Sequence, residues 1–196
     1  VNDDDLTYCS LRLDPESFEV NTAAARLNYA QGRYEDATRY YEKASSLMES
    51  DFSSVAMLIA CYRSLGNQAG LRHAAQSTLA RAAKIAAQEP DNGMAMGYVV
   101  MSLIALGQGD RARELAKRAM LLDPDNLTMR YNFACGFVEL QDTETALNLL
   151  GAVLEKDTLE TVNWAKVDPD LDALRDHPRF KAMIEGAEKR LAMAAG

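Results

Sequence analysis

Glycines, prolines and alanines recur along this chain at one interval: Gly32 and Gly66, Pro90 and Pro124, and Ala112 and Ala146 are each 34 residues apart in similar neighbourhoods. A period of that length marks a helix-turn-helix unit that cannot bury its apolar face alone and must stack on copies of itself. The expected fold is therefore all-α, an open superhelix with a concave surface. Such a surface suits the binding of other proteins better than it suits chemistry.

Composition agrees with continuous packed helices. Hydrophobic residues make up 48% of the chain and there are only five prolines, which argues against disorder. The net charge of -8, from 29 acidic and 21 basic residues, makes nucleic acid or an acidic membrane surface an unfavourable general partner. Cys9, Cys61 and Cys135 cannot all pair, and each is expected at a helical position that wants a small buried hydrophobe, so a reducing, cytoplasmic compartment is expected. The longest apolar run, Met94 to Leu106, is shorter than the ~20 residues a membrane span needs, so no direct membrane insertion is expected. No basic stretch precedes an early apolar one, so no signal peptide is expected, and the start at Val1 suggests a fragment or a processed product.

The frame is clearest in Gln31-Gly32-Arg33-Tyr34-Glu35-Asp36-Ala37, followed by Tyr41 and Ala44. It returns in Gly107-Gln108-Gly109-Asp110-Arg111-Ala112 with Ala116, Ala119, Leu122, Asp123 and Pro124, and again at Ala134, Phe137, Leu140 and Ala146. Small residues at these sites let neighbouring helices approach closely. This pattern resembles the tetratricopeptide repeat, a resemblance that implies a right-handed α-α superhelix. Four repeats are expected, at 18–51, 52–92, 93–126 and 127–160. Residues 1–17, ending in Leu11-Arg12-Leu13-Asp14-Pro15, read as the remnant second helix of a preceding repeat, and 161–196 as C-terminal capping helices.

The second repeat departs from the period. Gly66 to Pro90 spans 24 residues where Gly107 to Pro124 spans 17, an excess of seven. Seven residues add almost two helical turns, roughly 10 Å, and return the apolar face to nearly the same direction. The stretch Ala69 to Gln88 is rich in Ala and free of Pro, so the spacing predicts one lengthened second helix and not a bulged loop.

After about residue 160 the frame is lost. Two helix starts are written in the following stretch: Asp168 before Pro169, and Asp176 or His177 before Pro178. The last helix is expected from Pro178 to about Ala194, with Phe180, Met183, Ile184, Ala187 and Leu191 on one face. Together with Cys61-Tyr62-Arg63-Ser64-Leu65-Gly66, the long Ala-rich helix and Tyr131-Asn132-Phe133-Ala134-Cys135, this ending resembles the tetratricopeptide region C-terminal to the catalytic domain of bacterial class III adenylate cyclases. The resemblance implies a regulatory or interaction region of a multidomain signalling protein. It does not imply that this chain is an enzyme, because the metal-binding carboxylates and alternating strands of a cyclase are missing from it.

No catalytic, cofactor or metal site is expected. Asp168-x-Asp170-x-Asp172 imitates the start of a calcium loop, but Ala173 stands where Gly is required and Arg179 where the bidentate Glu belongs, so helix capping is the better reading. His73 and His177 have no partner ligands at zinc spacing. Tyr34, Tyr41, Tyr62, Phe133 and Phe137 fall at frame positions that fill a core, and Cys61 and Cys135 at packing positions. The family's concave-face positions fall on Arg26, Tyr29, Arg63, Met94, Met101, Tyr131, Cys135, Val138 and Glu139, with Tyr98 one position along. At the sites of the family's Lys and Asn clamp for a C-terminal carboxylate, only Asn132 matches, which disfavours that ligand. Met and Tyr suit an apolar segment or helix instead, the alternative being that these side chains pack on neighbouring helices or on the C-terminal cap. The expected partner is thus a protein or peptide segment, or another domain of the same polypeptide; a spacer or homodimerisation scaffold is the alternative.

Overall fold

A computed structural model of the chain describes residues 3–89 and 92–194. The described residues form α1 (Asp3–Leu13), α2 (Phe18–Ala30), α3 (Tyr34–Leu47), α4 (Ser53–Ser64), α5 (Gln68–Gln88), α6 (Gly93–Ala105) and α7 (Gly109–Leu122). They continue as α8 (Leu127–Glu139), α9 (Thr143–Lys156), α10 (Leu159–Val167), a 3₁₀ helix (Pro169–Leu174) and α11 (Pro178–Ala194). The fold is all-α, built from consecutive helix pairs that resemble a helical solenoid. Two compact units divide the chain, residues 1–84 and 85–196, the division falling within α5.

One turn is used four times. Residues 31–33, 65–67, 106–108 and 140–142 each link the helices of a pair, and the middle residue of each is left-handed: Gly32 (φ 72°), Gly66 (67°), Gly107 (75°) and Gln141 (58°). The geometry satisfies carbonyls that the end of a helix leaves orphaned. After α2, Arg33 N–H donates to Asn28 O at 2.9 Å and Gly32 N–H to Tyr29 O at 3.0 Å; after α8, Asp142 donates to Phe137 O and Gln141 to Val138 O, both at 2.9 Å. Asn67 to Tyr62 and Gly66 to Arg63, and Gln108 to Leu103 and Gly107 to Ile104, repeat the pattern. Gln141 stands 34 residues after Gly107, so the fourth copy keeps the turn without its glycine.

In the first unit, α2 and α3 pack through Ala24, Ala25, Ala37 and Ala44, with Tyr29 and Tyr41 buried beside them. Ser17 starts α2 by accepting from Val20 N–H at 3.2 Å. α5 is a single helix of 21 residues against 14 for α3, which places the seven-residue excess in a helix and not in a loop. Pro90, used to measure that excess, lies outside the described residues. Arg81 on α5 donates to Asp51 O at 2.7 Å and to Ser45 O at 3.5 Å, tying α5 to the chain that leaves α3. Two expected core aromatics are only half-buried: Tyr34 packs edge-on against Tyr29 with ring centroids 5.6 Å apart, and the Tyr62 hydroxyl reaches out to the Glu42 carboxylate. Cys9 is exposed, its sulfur 3.3 Å from the Arg12 guanidinium, contrary to the expectation that every cysteine fills a packing position.

In the second unit, Asn92 and Asn126 start α6 and α8 by accepting from Ala95 and Met129 N–H at 2.9 and 2.8 Å. α6 packs on both α7 and α8, and at Gly136 the approach is so close that an added Cβ would lie 2.5 Å from Ile104 Cδ1. Phe133, Leu147, Leu150 and Val153 are fully buried between α8 and α9, each contributing about 1.5–3 kcal/mol by leaving water. Arg113 on α7 pairs with Asp142 at 2.8 Å and lies 5.6 Å over the Phe137 ring.

The frame lost after residue 160 gives way to helix, not to loop. α11 runs from Pro178 to Ala194 as the proline and its preceding cap predict, and the cap is His177, whose Nδ1 accepts from Arg179 N–H at 3.2 Å. Asp176 instead pairs with Lys181 at 2.9 Å. Phe180, Ile184 and Ala187 are buried, while Met183 and Leu191 are half-buried. α11 packs on α9 and α10, and Arg190 donates to Leu154 O at 3.2 Å and Asp157 O at 2.7 Å, much as Arg81 does after α3.

Because a left-handed non-glycine residue costs roughly 1–2 kcal/mol, Gln141→Gly is expected to stabilise the chain by about 1 kcal/mol, and Gly107→Ala to destabilise it by a similar amount. Urea midpoints compared at constant slope check both; a Gln141→Gly midpoint at or below that of the unmodified chain would contradict the strain assigned to this turn.

Candidate functional site

The residues expected on a binding face divide between the two units. In the first, Arg26 is exposed on α2, Arg63 is half-buried on α4, and Tyr29 is buried, its ring against Tyr34. In the second, Met94 is exposed near the start of α6, Met101 is half-buried and Tyr98 is buried. On α8, Tyr131 and Cys135 are buried at 8% and 6% exposure, whereas Val138 is half-buried and Glu139 exposed. Arg26, Met94 and Glu139 therefore present substantial surface, whereas Tyr29, Tyr98 and Tyr131 are buried.

The second unit brings Tyr131 and Cys135 together on a residue that sequence reasoning gave a capping role alone. The 3₁₀ helix packs on α8, and Asp168 at its start is 4% exposed. One carboxylate oxygen, Oδ1, accepts from Asp170 N–H at 3.1 Å, the capping role expected of it. The other, Oδ2, accepts from the Tyr131 hydroxyl at 2.8 Å and lies 3.9 Å from Cys135 Sγ. A capping motif explains Asp168 locally and so hides the tertiary bond. Arg175 then ties the segment to itself: its guanidinium donates to Asp168 O at 2.7 Å, to Ala165 O at 3.4 Å and to Lys166 O, and pairs with Asp172 at 2.7 Å. These contacts give the carbonyls that close α10 the partners that a helix end lacks.

Burial above all, with the adjacent Cys135 and Asp168 next, holds the Tyr131 phenol well above its ordinary range. Burial and the Glu42 carboxylate likewise push Tyr62 up to about 12.

No metal cluster of three or more His, Cys, Asp or Glu exists among the described residues, and the cysteines are free. His73 is exposed on α5, and His177 is engaged in capping α11. No constellation that pairs a nucleophile with an imidazole base is seen among the described residues. None of the described helices is long and apolar enough to cross a membrane. No protein-family model matches the chain, and no curated protein matches it either.

Both raised phenols are neutral in the folded chain, while in the unfolded chain tyrosine ionises near 10. The stability they represent is fully present below about pH 10 and is lost as pH rises from there towards their folded values. Tyr131→Phe should cost about 1–3 kcal/mol at pH 7, because Asp168 loses a donor while buried, and should flatten the fall in stability above about pH 10. Urea unfolding of both proteins at pH 7 and pH 11 tests this; an equal alkaline fall in the two would remove Tyr131 from the account.

Proposed function

We propose that this chain is a tetratricopeptide-type interaction module, a right-handed superhelix closed by its C-terminal helices, that binds a segment of another protein or a neighbouring domain of its own polypeptide. The observation that carries this reading is the recurrence of the pair: four successive helix pairs, each closed by the same three-residue left-handed turn. Repetition of one unit extends a surface without building a pocket for chemistry. The ending from Asp168 to Phe180 and the lengthened α5 favour a regulatory region of a bacterial adenylate cyclase or a similar cytoplasmic signalling protein. Binding energy would come from a few anchors, with exposed Met94 on α6 and exposed Arg26 on α2 the first candidates.

A second reading, a scaffold that pairs copies of the chain, draws on the end of α7, where Leu121 is 84% and Leu122 50% exposed. Sedimentation across concentration separates the two: a tight dimer broken by Leu121→Glu supports pairing, and a persistent monomer removes it.

For the capture reading, peptides selected on the full chain from a displayed library are expected to lose at least tenfold in affinity when Met94→Glu or Arg26→Glu is introduced, with circular dichroism unchanged. Selected peptides indifferent to both substitutions would refute capture through these faces.

A further inference from the structure

The face of α8 that carries Tyr131 and Cys135 is covered by the chain's own residues 168–174, and the cover has the form of a ligand. A 3₁₀ helix turns once in three residues, so Asp168 at its start, Leu171 and Leu174 fall in one row. All three are buried, Leu171 and Leu174 at 0% and 1% exposure, while Asp172 and Ala173 are exposed. One polar anchor followed by two apolar ones along a single side is how a short helical segment engages a groove. The receiving surface is also a single stripe, since Tyr131, Cys135, Val138 and Glu139 lie at helical spacing on one side of α8. It is closed at its Tyr131 end and open at Glu139. Arg175 holds the covering segment in its turn through the carbonyls of Ala165, Lys166 and Asp168, so the cover is a shaped element and not a loose tail.

We propose that this stripe of α8 is a segment-binding site occupied in cis, whose ligand class is a short turn bearing Asp-x-x-Leu-x-x-Leu, and that a partner segment of that chemistry binds here only when residues 168–176 leave. The inference rests on the capture reading above and supplies its regulation. A tethered segment competes at an effective concentration on the order of millimolar, so an incoming segment must outbid it or find it released. Tyr131 supplies the donor for the ligand carboxylate. Val138 and Glu139 form the part of the stripe that a newcomer meets first.

The test uses the full chain and a fluorescent, end-blocked peptide of residues 166–176, read by anisotropy. Asp168→Ala/Leu171→Ala/Leu174→Ala in the chain is expected to raise affinity for this peptide at least tenfold over the unmodified chain. The same peptide with Asp168→Ala is expected to bind the variant about tenfold more weakly. A folded variant that binds the peptide no better than the unmodified chain overturns the proposal. Should the triple variant fail to fold, Asp168→Asn is introduced into a Cys9→Ser/Cys61→Ser chain and the labelling rate of the Cys135 thiol is measured. A rise of tenfold or more supports release of the cover, and an unchanged rate overturns it. Failure in either arm leaves the response of library peptides to Met94→Glu and Arg26→Glu standing or falling by itself.

Discussion

A helix of 13 or 14 residues is marginal in water, and that is the length of both helices in three of the four pairs. Everything else in this chain answers that weakness. The buried alanines at 24, 25, 37, 112, 116 and 146 keep helix axes close enough for dispersion and apolar burial to supply what propensity cannot. Bulk enters only where a gap needs filling, as with Tyr29 and Tyr41 in one unit and Phe133 and Leu147 in the other. Gly136 marks the tightest approach, because there even a methyl group would press on Ile104.

In two of the four pairs the turn joins two duties in three residues. Asn67 closes α4 through its N–H, donated to Tyr62 O at 2.8 Å, and opens α5 through its side chain, which accepts from Gly70 N–H at 2.9 Å. Asp142 does the same between α8 and α9, accepting from Thr145 N–H at 3.3 Å. The reversal is thus fixed by backbone partners and not by side-chain packing, which is why Gln141 can occupy the left-handed position that glycine holds elsewhere. Its neighbours over-determine the conformation.

Much of the fold could be read from spacing, because the determinants are local. Glycine at the turn, small residues at contacts and seven extra residues in α5 each act within one helix pair, and each is visible as a departure from or return to the period. The exposure of Cys9 and the half-burial of Tyr34 and Tyr62 were not legible, since a frame position says which face a residue takes but not whether a neighbour covers it. The candidate site was harder still. Tyr131 and Cys135 were named for the face they share, yet what lies over them is Asp168, whose proline-adjacent position already had a sufficient local explanation. A residue with two oxygens can satisfy two rules, and sequence displays only the nearer one.

That division of labour in Asp168 has a consequence for how the end of the chain acquires order. Six residues of 3₁₀ helix have no independent stability, and the carboxylate that begins the helix is the same one that docks it. Helix start and docking therefore share one carboxylate, Oδ1 serving the first and Oδ2 the second. Loss of that carboxylate would therefore loosen the start of the 3₁₀ helix and its seat on α8 together. Over α8 the segment closes like a clasp.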